Sequence, residues 1–480
     1  MKSKKLLSLT LTLVGSATVI NAQKLPNIIL IFCDDMGYGD LCANNATGFI
    51  TPNLERLAAE GMRFTNFYAA QAVSSASRIG LLTGCYPNRV GFSGALAPDA
   101  KIGINPEEET IAEILKTKAY ATAAVGKWHL GRQTQFLPLQ NGFDEYFGIP
   151  YSNDMWPIGI DGKRVEPTSR KYNYPDLPIL EGNNIFKTLK NLEDQSEITR
   201  LYTERAVSFI HKNRKKPFFL YLAHSMPHVP LAVSAKFKGK SQQGLYGDVM
   251  MEIDWSVGQV MEALKKERID KNTLIVFTSD NGPWLNYGNH AGSAGGLREG
   301  KGTSFEGGQR VPCLMKWPKQ IPAGTVCNKL SATIDLLPTF ASITGAKLPA
   351  KKIDGLNIIS LLKNESNANP RENLLYYYNE NSLEAVRKGN WKLVLPHSGR
   401  SYVGQIPGND GNPGKTTKIT TGLELYDLRR DPGEQYNVME QNPEVVKELQ
   451  ILVDSARIDL GDDITNCPGK NRREPGRENK

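Results

Sequence analysis

Apolar runs alternate with amphipathic stretches along most of the chain, which predicts a regular series of strands and helices. Residues 27–32 (NIILIF) are uniformly apolar, as in a strand buried on both faces. Residues 51–61 begin with a threonine and a proline and end at a glycine, which is typical of a helix. Three helix–strand pairs follow, at residues 106–118 and 119–125, 199–212 and 217–222, and 250–266 and 273–277. We therefore predict an α/β fold with a large, mostly parallel central sheet flanked by helices.

The pattern changes at about residue 365, where shorter strands replace the helix–strand pairs. Strands are predicted at residues 374–378, 384–386, 391–395 and 423–428, and a closing helix at 443–458. This order is typical of a smaller antiparallel sheet with one helix. Residues 398–421 are rich in Gly, Pro, Asn and Ser, and we expect a surface loop there. The predicted organisation is a large domain at 23–365 followed by a C-terminal α+β subdomain at 366–480.

The first 22 residues have the features of a secretory signal peptide. A basic start (MKSKK) precedes the apolar run at 6–20, and Ile20-Asn21-Ala22 forms a cleavage site. No later apolar run reaches the about 18 residues that a membrane span needs. We expect an exported protein, periplasmic or secreted, without a membrane span. The six cysteines are scattered through a chain of 480 residues and do not indicate a disulfide framework.

The formal net charge of +8 does not indicate a nucleic-acid partner, because most of it lies at the two ends of the chain. Three lysines among the first five residues contribute +3, and residues 470–480 contribute another +3. Only +2 remains for the body of the chain. A nearly neutral body lacks the basic patch that nucleic-acid binding requires.

Polar side chains follow two of the predicted strands, at the carboxyl ends where ligands gather in an open α/β sheet. Asp34 and Asp35 follow the first strand, and Asp280 and Asn281 follow the strand at 273–277. Three carboxylates and an amide oxygen form a hard, all-oxygen ligand set that suits Ca²⁺ or Mg²⁺. The alternative is that these residues cap helices or form turns.

Lysines and histidines form a second candidate group. Lys127, His129 and His228 also follow predicted strands, and Lys301 lies in the glycine-rich stretch REGKGTSFEGG. Two lysines and two histidines around a divalent cation would suit a small tetrahedral dianion or a sulfate ester. The alternative is a set of surface lysines and of histidines satisfied within the core.

The segment SSASRIGLLTG at residues 74–84 carries the most specific pattern in the chain. It resembles the signature of the formylglycine-dependent sulfatases. In that signature a Cys or Ser is followed four residues later by an arginine, and the sequence Leu-Leu-Thr-Gly begins three residues after the arginine. Other stretches resemble the same family in the order that it uses: PNIILIFCDDMGYGD, VGKWHLG, FGIPYSND, FTSDNG, GKGTSFEGGQRVP and LYDLRRDPGEQYN. The spacing is most similar to the branch of arylsulfatase A and N-acetylgalactosamine-6-sulfatase.

The resemblance implies an alkaline-phosphatase-like fold whose large domain, residues 23–365, is catalytic. It also implies that residue 74 is oxidised by a maturase to 3-oxoalanine (formylglycine), whose hydrate is the nucleophile. The metal site would bind calcium, with magnesium a poorer candidate. The site residues implied are Asp34, Asp35, Asp280, Asn281 and modified Ser74 for the metal, Arg78 for the modified side chain, Lys127, Lys301 and His228 for the sulfate, His129 for the hydrate and Ser152 for a sulfate oxygen.

Two positions depart from the commoner family pattern. Position 74 is Ser where many members have Cys, and position 76 is Ala where Pro is commoner. A serine precursor is usable by the radical-type maturases of anaerobes. The alternative is that Ser74 replaces a Cys of the parent sequence, a change that would trap substrate without turnover. The sequence is compatible with both origins of Ser74.

The expected substrate is a sulfated glycan, with sulfate on galactose or N-acetylgalactosamine of mucin or glycosaminoglycan. Asn153, Asp154, His290 and Arg298 lie near motif residues in the sequence, and we expect them to contact the sugar. Two alternatives come from other classes. One is a phosphate or phosphonate monoester hydrolase on the same fold, and the other is a sulfoglycan-binding protein without catalytic activity.

Overall fold

The helices and strands follow the predicted alternation closely. The structure is a computed structural model, and it describes residues 25–478. The predicted signal peptide lies outside the described residues. The helices are α1 (Pro52–Ala59), α2 (Ser74–Thr83), α3 (Ile111–Lys116), α4 (Leu192–Ser196), α5 (Ile198–Asn213), α6 (Gly244–Lys266), α7 (Glu306–Gln309), α8 (Leu336–Thr344), α9 (Ile359–Leu362) and α10 (Pro443–Leu460). The strands are β1 (Asn27–Cys33), β2 (Met62–Phe64), β3 (Phe67–Tyr68), β4 (Ile102–Gly103), β5 (Ala121–Gly126), β6 (Glu145–Gly148), β7 (Pro178–Glu181), β8 (Asn184–Thr188), β9 (Phe218–Ala223), β10 (Thr273–Ser279), β11 (Cys313–Lys316), β12 (Thr325–Cys327), β13 (Ser331–Ala332), β14 (Asn373–Tyr378), β15 (Ser382–Lys388), β16 (Trp391–Val394), β17 (His397–Ser401), β18 (Thr417–Thr421), β19 (Glu424–Asp427) and β20 (Gly476–Arg477).

A ten-stranded sheet forms the centre of the large domain, in the order β12-β2-β11-β10-β1-β9-β5-β6-β7-β8. Its central strands, from β10 to β6, are parallel, which confirms the α/β prediction. Towards the edges β11 and β7 run antiparallel to their neighbours, so the sheet is mixed. Every residue of β1 is buried, because alternate side chains pack into hydrophobic clusters on opposite faces of the sheet.

The C-terminal subdomain is a four-stranded antiparallel sheet, in the order β14-β15-β16-β19, as predicted. Helix α10 packs on it through Leu449, Val453, Ala456 and Leu460, which recur at helical spacing and are buried. The prediction of a surface loop at 398–421 is wrong in part. Strands β17 and β18 pair antiparallel there, with His397 opposite Thr421.

Two predicted helix starts are also wrong. Helix α3 begins at Ile111, not at residue 106, because the Thr110 hydroxyl accepts from the Glu113 amide while the Glu113 carboxylate accepts from the Thr110 amide. Helix α6 begins at Gly244, six residues before the predicted start at 250. No helix within residues 25–478 is both long enough and apolar enough to cross a bilayer.

A buried ion-pair cluster lies between the large domain and the C-terminal subdomain. Lys392 of β16 lies 3.2 Å from a carboxylate oxygen of Glu306 and 2.7 Å from one of Glu434. The Glu306 carboxylate also accepts from the hydroxyls of Tyr68 (2.6 Å) and Tyr376 (3.1 Å). Glu306 begins α7, in the same GKGTSFEGGQR block as Lys301, so the cluster fixes that block against the C-terminal subdomain.

Candidate active site

The parallel pairing of β1 with β10 brings two polar pairs together. Cys33 lies opposite Ser279 in the register, so the next residues of both strands emerge at the same edge of the sheet. The Asp35 amide donates to the Asp280 carboxylate at 3.1 Å, and the Asn281 side-chain amide donates to the Asp35 carboxylate at 2.8 Å. All of these side chains are buried. The expected oxygen cluster is therefore formed.

Ser74 lies against this cluster, at the first residue of α2. Its hydroxyl donates to Asp34 Oδ1 at 3.0 Å. The Lys127 ammonium, which follows β5, lies 2.5 Å from Asp34 Oδ2, 3.4 Å from Ser74 Oγ and 3.1 Å from Ser152 Oγ. The side chain of residue 74 is thus placed between a carboxylate and a buried cation.

Arg78 is one helical turn after Ser74, so it faces the same side of α2. Its guanidinium lies 2.8 Å from Asp280 Oδ2 and 3.6 Å from Asp34 Oδ2, and donates to the Lys127 carbonyl at 3.1 Å. Because Arg78 is fully buried, these contacts fix the start of α2 to the ends of three strands.

Lys301 and His228 approach Asp35 from the other side. The Lys301 ammonium lies 2.7 Å from Asp35 Oδ1 and 4.4 Å from the centre of the Trp284 ring. His228 Nε2 lies 3.6 Å from Asp35 Oδ2, and its Nδ1 lies 2.5 Å from the Val229 carbonyl oxygen. Since a carbonyl only accepts, Nδ1 carries a proton and Nε2 is the nitrogen directed at the carboxylate.

His129 has one nitrogen available for chemistry. Its Nε2 lies 2.9 Å from the Leu96 carbonyl oxygen and therefore donates, while Nδ1 has no hydrogen-bond partner within the described residues. Burial and the nearby Lys127 lower the pKa of His129 well below its usual value, so the ring is neutral with a free lone pair on Nδ1. The backbone of His129 is left-handed, with φ of 62°. Strain of this kind is concentrated at functional sites.

Two carboxylates of the cluster differ in how strongly their surroundings favour the ionised form. Burial alone would raise the pKa of Asp34, but Lys127, His228 and Arg78 outweigh it and lower that pKa well below the usual range. In contrast, burial and the neighbouring Asp34 raise the pKa of Asp280 to about 7. The buried Asn281 Oδ1 has no partner among the described residues. Three clustered carboxylates beside an unused amide oxygen form an all-oxygen donor set that fits a hard divalent cation.

Asp34, Asp35 and His228 also bring one ligand atom each to within 4.8 Å of one another. This is the spacing of groups that share an ion. The imidazole is the weaker ligand for Ca²⁺, which prefers oxygen, so Asp34, Asp35, Asp280 and Asn281 are the residues whose chemistry fits such an ion.

A cavity of about 260 Å³ opens onto these residues. Its lining includes Ser74, His129, His228 and Lys301, together with Ser152 and Asp154 from the FGIPYSND stretch. The Asp154 Oδ1 atom has no partner among the described residues. Burial would raise the pKa of Asp154, but His228 and Lys171 outweigh it and lower the pKa to about 2. Asp154 therefore offers an ionised acceptor to a ligand.

Three predicted sugar contacts do not line this cavity. His290 lies beside Gly411 of a neighbouring loop. Arg298 stacks 3.9 Å from the centre of the Phe305 ring and donates to the Tyr426 hydroxyl at 3.0 Å. Asn153 donates to the His228 carbonyl at 3.2 Å and so positions that loop. These three side chains lie outside the cavity lining, and their contact with a sugar stays a prediction.

The lining residues that were not predicted include five with polar or aromatic side chains: Arg170, Tyr174, Trp284, Tyr378 and Arg400. Trp284 could have been found, because it follows Asn281 by three residues at the same strand end. The others come from an irregular segment and from the C-terminal subdomain. Nothing in their local sequence marks them as site residues.

A family model described as Sulfatase matches residues 26–346, about two thirds of the chain. The chain belongs to the sulfatase family. Models for the C-terminal region of aryl-sulfatase and for the C-terminal part of N-sulphoglucosamine sulphohydrolase match residues 369–472 and 300–394 of this sulfatase. The predicted family membership is confirmed, and the protein is a sulfuric ester hydrolase.

Similar proteins support membership of the sulfatase family. The sulfatase is 38% identical over 442 residues to N-acetylgalactosamine-6-sulfatase of Mus musculus, covering 86% of this chain and 82% of that one. It is 36% identical over 464 residues to arylsulfatase A of Homo sapiens, covering 92% and 90%. The crystal structure of the PsFucS1 sulfatase from Pseudoalteromonas sp. superposes with a TM-score of 0.78 at 27% identity, covering 90% and 91%.

Proposed function

We propose that this sulfatase hydrolyses a sulfate ester on a carbohydrate, namely on galactose or N-acetylgalactosamine of a mucin or glycosaminoglycan. The observation that carries the proposal is the cavity in which Ser74, two histidines and Lys301 face one small volume. The name of the N-acetylgalactosamine-6-sulfatase relative supports the sugar class. The free acceptor on Asp154 supports a ligand with hydroxyl groups.

We propose that Asp34, Asp35, Asp280 and Asn281 hold Ca²⁺ together with residue 74. Calcium accepts irregular sets of six to eight oxygen ligands, whereas Mg²⁺ demands a near-ideal octahedron and keeps its waters. All four residues follow the ends of the adjacent parallel strands β1 and β10. When bound, the ion supplies positive charge beside the oxygen of residue 74.

We propose further that residue 74 acts in its oxidised form, 3-oxoalanine, produced by a maturase. Such a side chain supplies one oxygen for attack on sulfur and a second through which sulfate is expelled. Lys127 and Lys301 are placed to stabilise charge on the sulfate oxygens. The Ser152 hydroxyl accepts from Lys127, is hydrogen-bonded to Asp154 and lines the same cavity.

The two histidines have distinct proton-transfer roles in this proposal. The Nδ1 proton of His228 is bonded to the Val229 carbonyl, so the ring donates to the leaving sugar oxygen only in its cationic form, with a second proton on Nε2. Burial and Lys301 lower the pKa of His228, whereas Asp35 and Asp34 favour the cationic form. His129 Nδ1 has the free lone pair and accepts a proton from residue 74.

A phosphate monoester hydrolase with two metals is less well supported. Such a site needs additional His or Asp ligands, and only two of the six histidines line the cavity. His211 lies 2.7 Å from Glu267, His224 is 3.2 Å from Ser256, and His397 is 3.6 Å from Glu384, all away from the cavity.

The test compares the sulfate and phosphate esters of one sugar, N-acetylgalactosamine, with protein coexpressed with a serine-type maturase. We expect release of sulfate at a kcat/KM at least a hundredfold above that for phosphate, since the site neutralises one net negative charge more readily than two. A preference for phosphate would replace the proposal by the phosphatase alternative. Binding of the sulfated sugar without release would favour the silent binding protein.

We also propose that the sulfatase acts outside the cytoplasm, in the periplasm or after secretion. The proposal is supported by the basic and apolar pattern of residues 1–22, which lie outside the described residues. Fractionation of the native host, with detection of the mature amino terminus at Gln23, tests it.

A further inference from the structure

The β17–β18 hairpin of the C-terminal subdomain reaches into the catalytic cavity. Its first strand ends at Ser401, whose hydroxyl donates to Glu299 at 2.5 Å, and the next amide, of Tyr402, donates to the same carboxylate at 2.7 Å. The Tyr402 hydroxyl donates to the Lys301 carbonyl at 2.5 Å. Since Glu299 is buried, these bonds hold the hairpin in a fixed position relative to Lys301.

Arg400 is the residue that this hairpin presents to the cavity. A methyl group built on Gly302, directly after Lys301, would lie 3.2 Å from Arg400 Nη1 and 2.9 Å from the Tyr378 hydroxyl. The guanidinium donates to the Tyr402 hydroxyl at 3.3 Å. Within residues 25–478, no carboxylate lies within ion-pair distance of Arg400.

Arg170 lines the same cavity from a different part of the chain, and it also has no carboxylate partner among the described residues. This distinguishes the two arginines from the cations around Ser74. Lys127 and Lys301 are each paired with an aspartate. Arg170 and Arg400 therefore bring two guanidinium groups without an ion-pair partner to a cavity whose lining also includes the Asp154 carboxylate.

We propose that Arg170 and Arg400 form a second anion subsite, so that the preferred substrate carries a further anionic group beside the sulfate that is removed. This inference rests on the proposed function. A guanidinium offers a planar fork of donors that matches a sulfate or a carboxylate. The two sources of such a group are a second sulfate on the same sugar and the carboxylate of a neighbouring uronic acid.

The experiment compares three substrates of the mature enzyme: a monosulfated N-acetylgalactosamine, its disulfated form, and a monosulfated disaccharide with a uronic acid. We expect at least one doubly anionic substrate to exceed the first in kcat/KM by about tenfold or more, mainly through KM, as for charge-assisted hydrogen bonds. The substrate that gains identifies the source of the anion.

Substitutions then test whether Arg170 and Arg400 cause the preference for the doubly anionic substrate. Arg400→Met and Arg170→Met should each reduce that preference about tenfold, with unfolding temperatures showing that both fold. Arg472→Met is the matched control, because Arg472 is exposed and outside the cavity, and the preference should be unchanged. A preference near one in the wild type, or a preference that survives in both variants, would overturn the subsite. Failure to release sulfate from any of the three substrates would instead overturn the proposed function.

Discussion

The Ser74 hydroxyl donates to the Asp34 carboxylate at 3.0 Å, at the first residue of α2. Lys127 contacts both partners, which keeps the carboxylate ionised although it is fully buried. An oxygen on residue 74 therefore lies between Asp34, a proposed metal ligand, and the ammonium of Lys127. This relationship places the proposed metal site beside the proposed nucleophile and a lysine proposed to bind sulfate.

Lys301 should be essential for turnover. Lys301→Met removes a cation whose expected role is to stabilise charge on the transferring sulfate, and we expect kcat/KM to fall by about a thousandfold or more. Lys363→Met, at an exposed position, is the control and should be neutral. A Lys301→Met enzyme with turnover within tenfold of the wild type would limit the GKGT block to a structural role.

Removal of the metal should affect both activity and stability. We expect exhaustive chelation to abolish sulfate release and Ca²⁺ to restore it, and we expect added Ca²⁺ to raise the unfolding temperature of the chelated protein. Asp280→Asn should remove the response of the unfolding temperature, whereas Asp99→Asn, an exposed control, should retain it. Full activity in metal-free protein would eliminate the calcium site.

The buried cluster around Lys392 predicts a pH-dependent stability. Burial outweighs the attraction of Lys392, and with the nearby Glu306 it raises the pKa of Glu434 to about 7 from 4.5. The folded state therefore binds a proton that the unfolded state has lost. Stability from this group is present below about pH 4.5 and is lost as the pH rises to about 7.

Glu434→Gln stays uncharged and should not show this loss. We expect the unfolding temperature of the wild type to fall relative to that of the variant between these pH values, by an amount corresponding to roughly 3 kcal/mol. Glu365→Gln, at an exposed site, controls for the change in net charge. Parallel curves for wild type and Glu434→Gln would show that Glu434 is ionised in the folded protein.

The sequence predicts the oxygen cluster well, because each polar pair directly follows the strand that positions it. Strands β1 and β10 are buried throughout and mostly apolar, and each ends directly before its polar pair. Parallel strands then bring Asp34 and Asp280 to one edge without any further signal. The family resemblance adds the position of Ser74, which composition and periodicity alone do not single out.

The sequence does not predict which side chains reach the cavity when a turn or a distant strand decides their position. His290 is nine residues after Asn281, but the backbone turns sharply at Gly288 (φ 58°, ψ −116°), and the histidine lies outside the cavity. Arg400 shows the opposite case. Its strand is poor in apolar residues, and the β-branched run of β18 (TKITT) is a local signal from which paired strands within residues 398–421 could have been predicted.

The state of residue 74 tests the central claim most directly. A serine hydroxyl beside Asp34 can attack sulfur, but it has no second oxygen with which to release the sulfate. Mass spectrometry of the peptide that contains residue 74 should be combined with multiple-turnover assays, on protein made with and without a serine-type maturase. We predict that peptide lacking two hydrogens occurs only in the active preparation, and that activity is proportional to its fraction. Efficient multiple turnover by protein whose Ser74 is wholly unmodified would contradict the account.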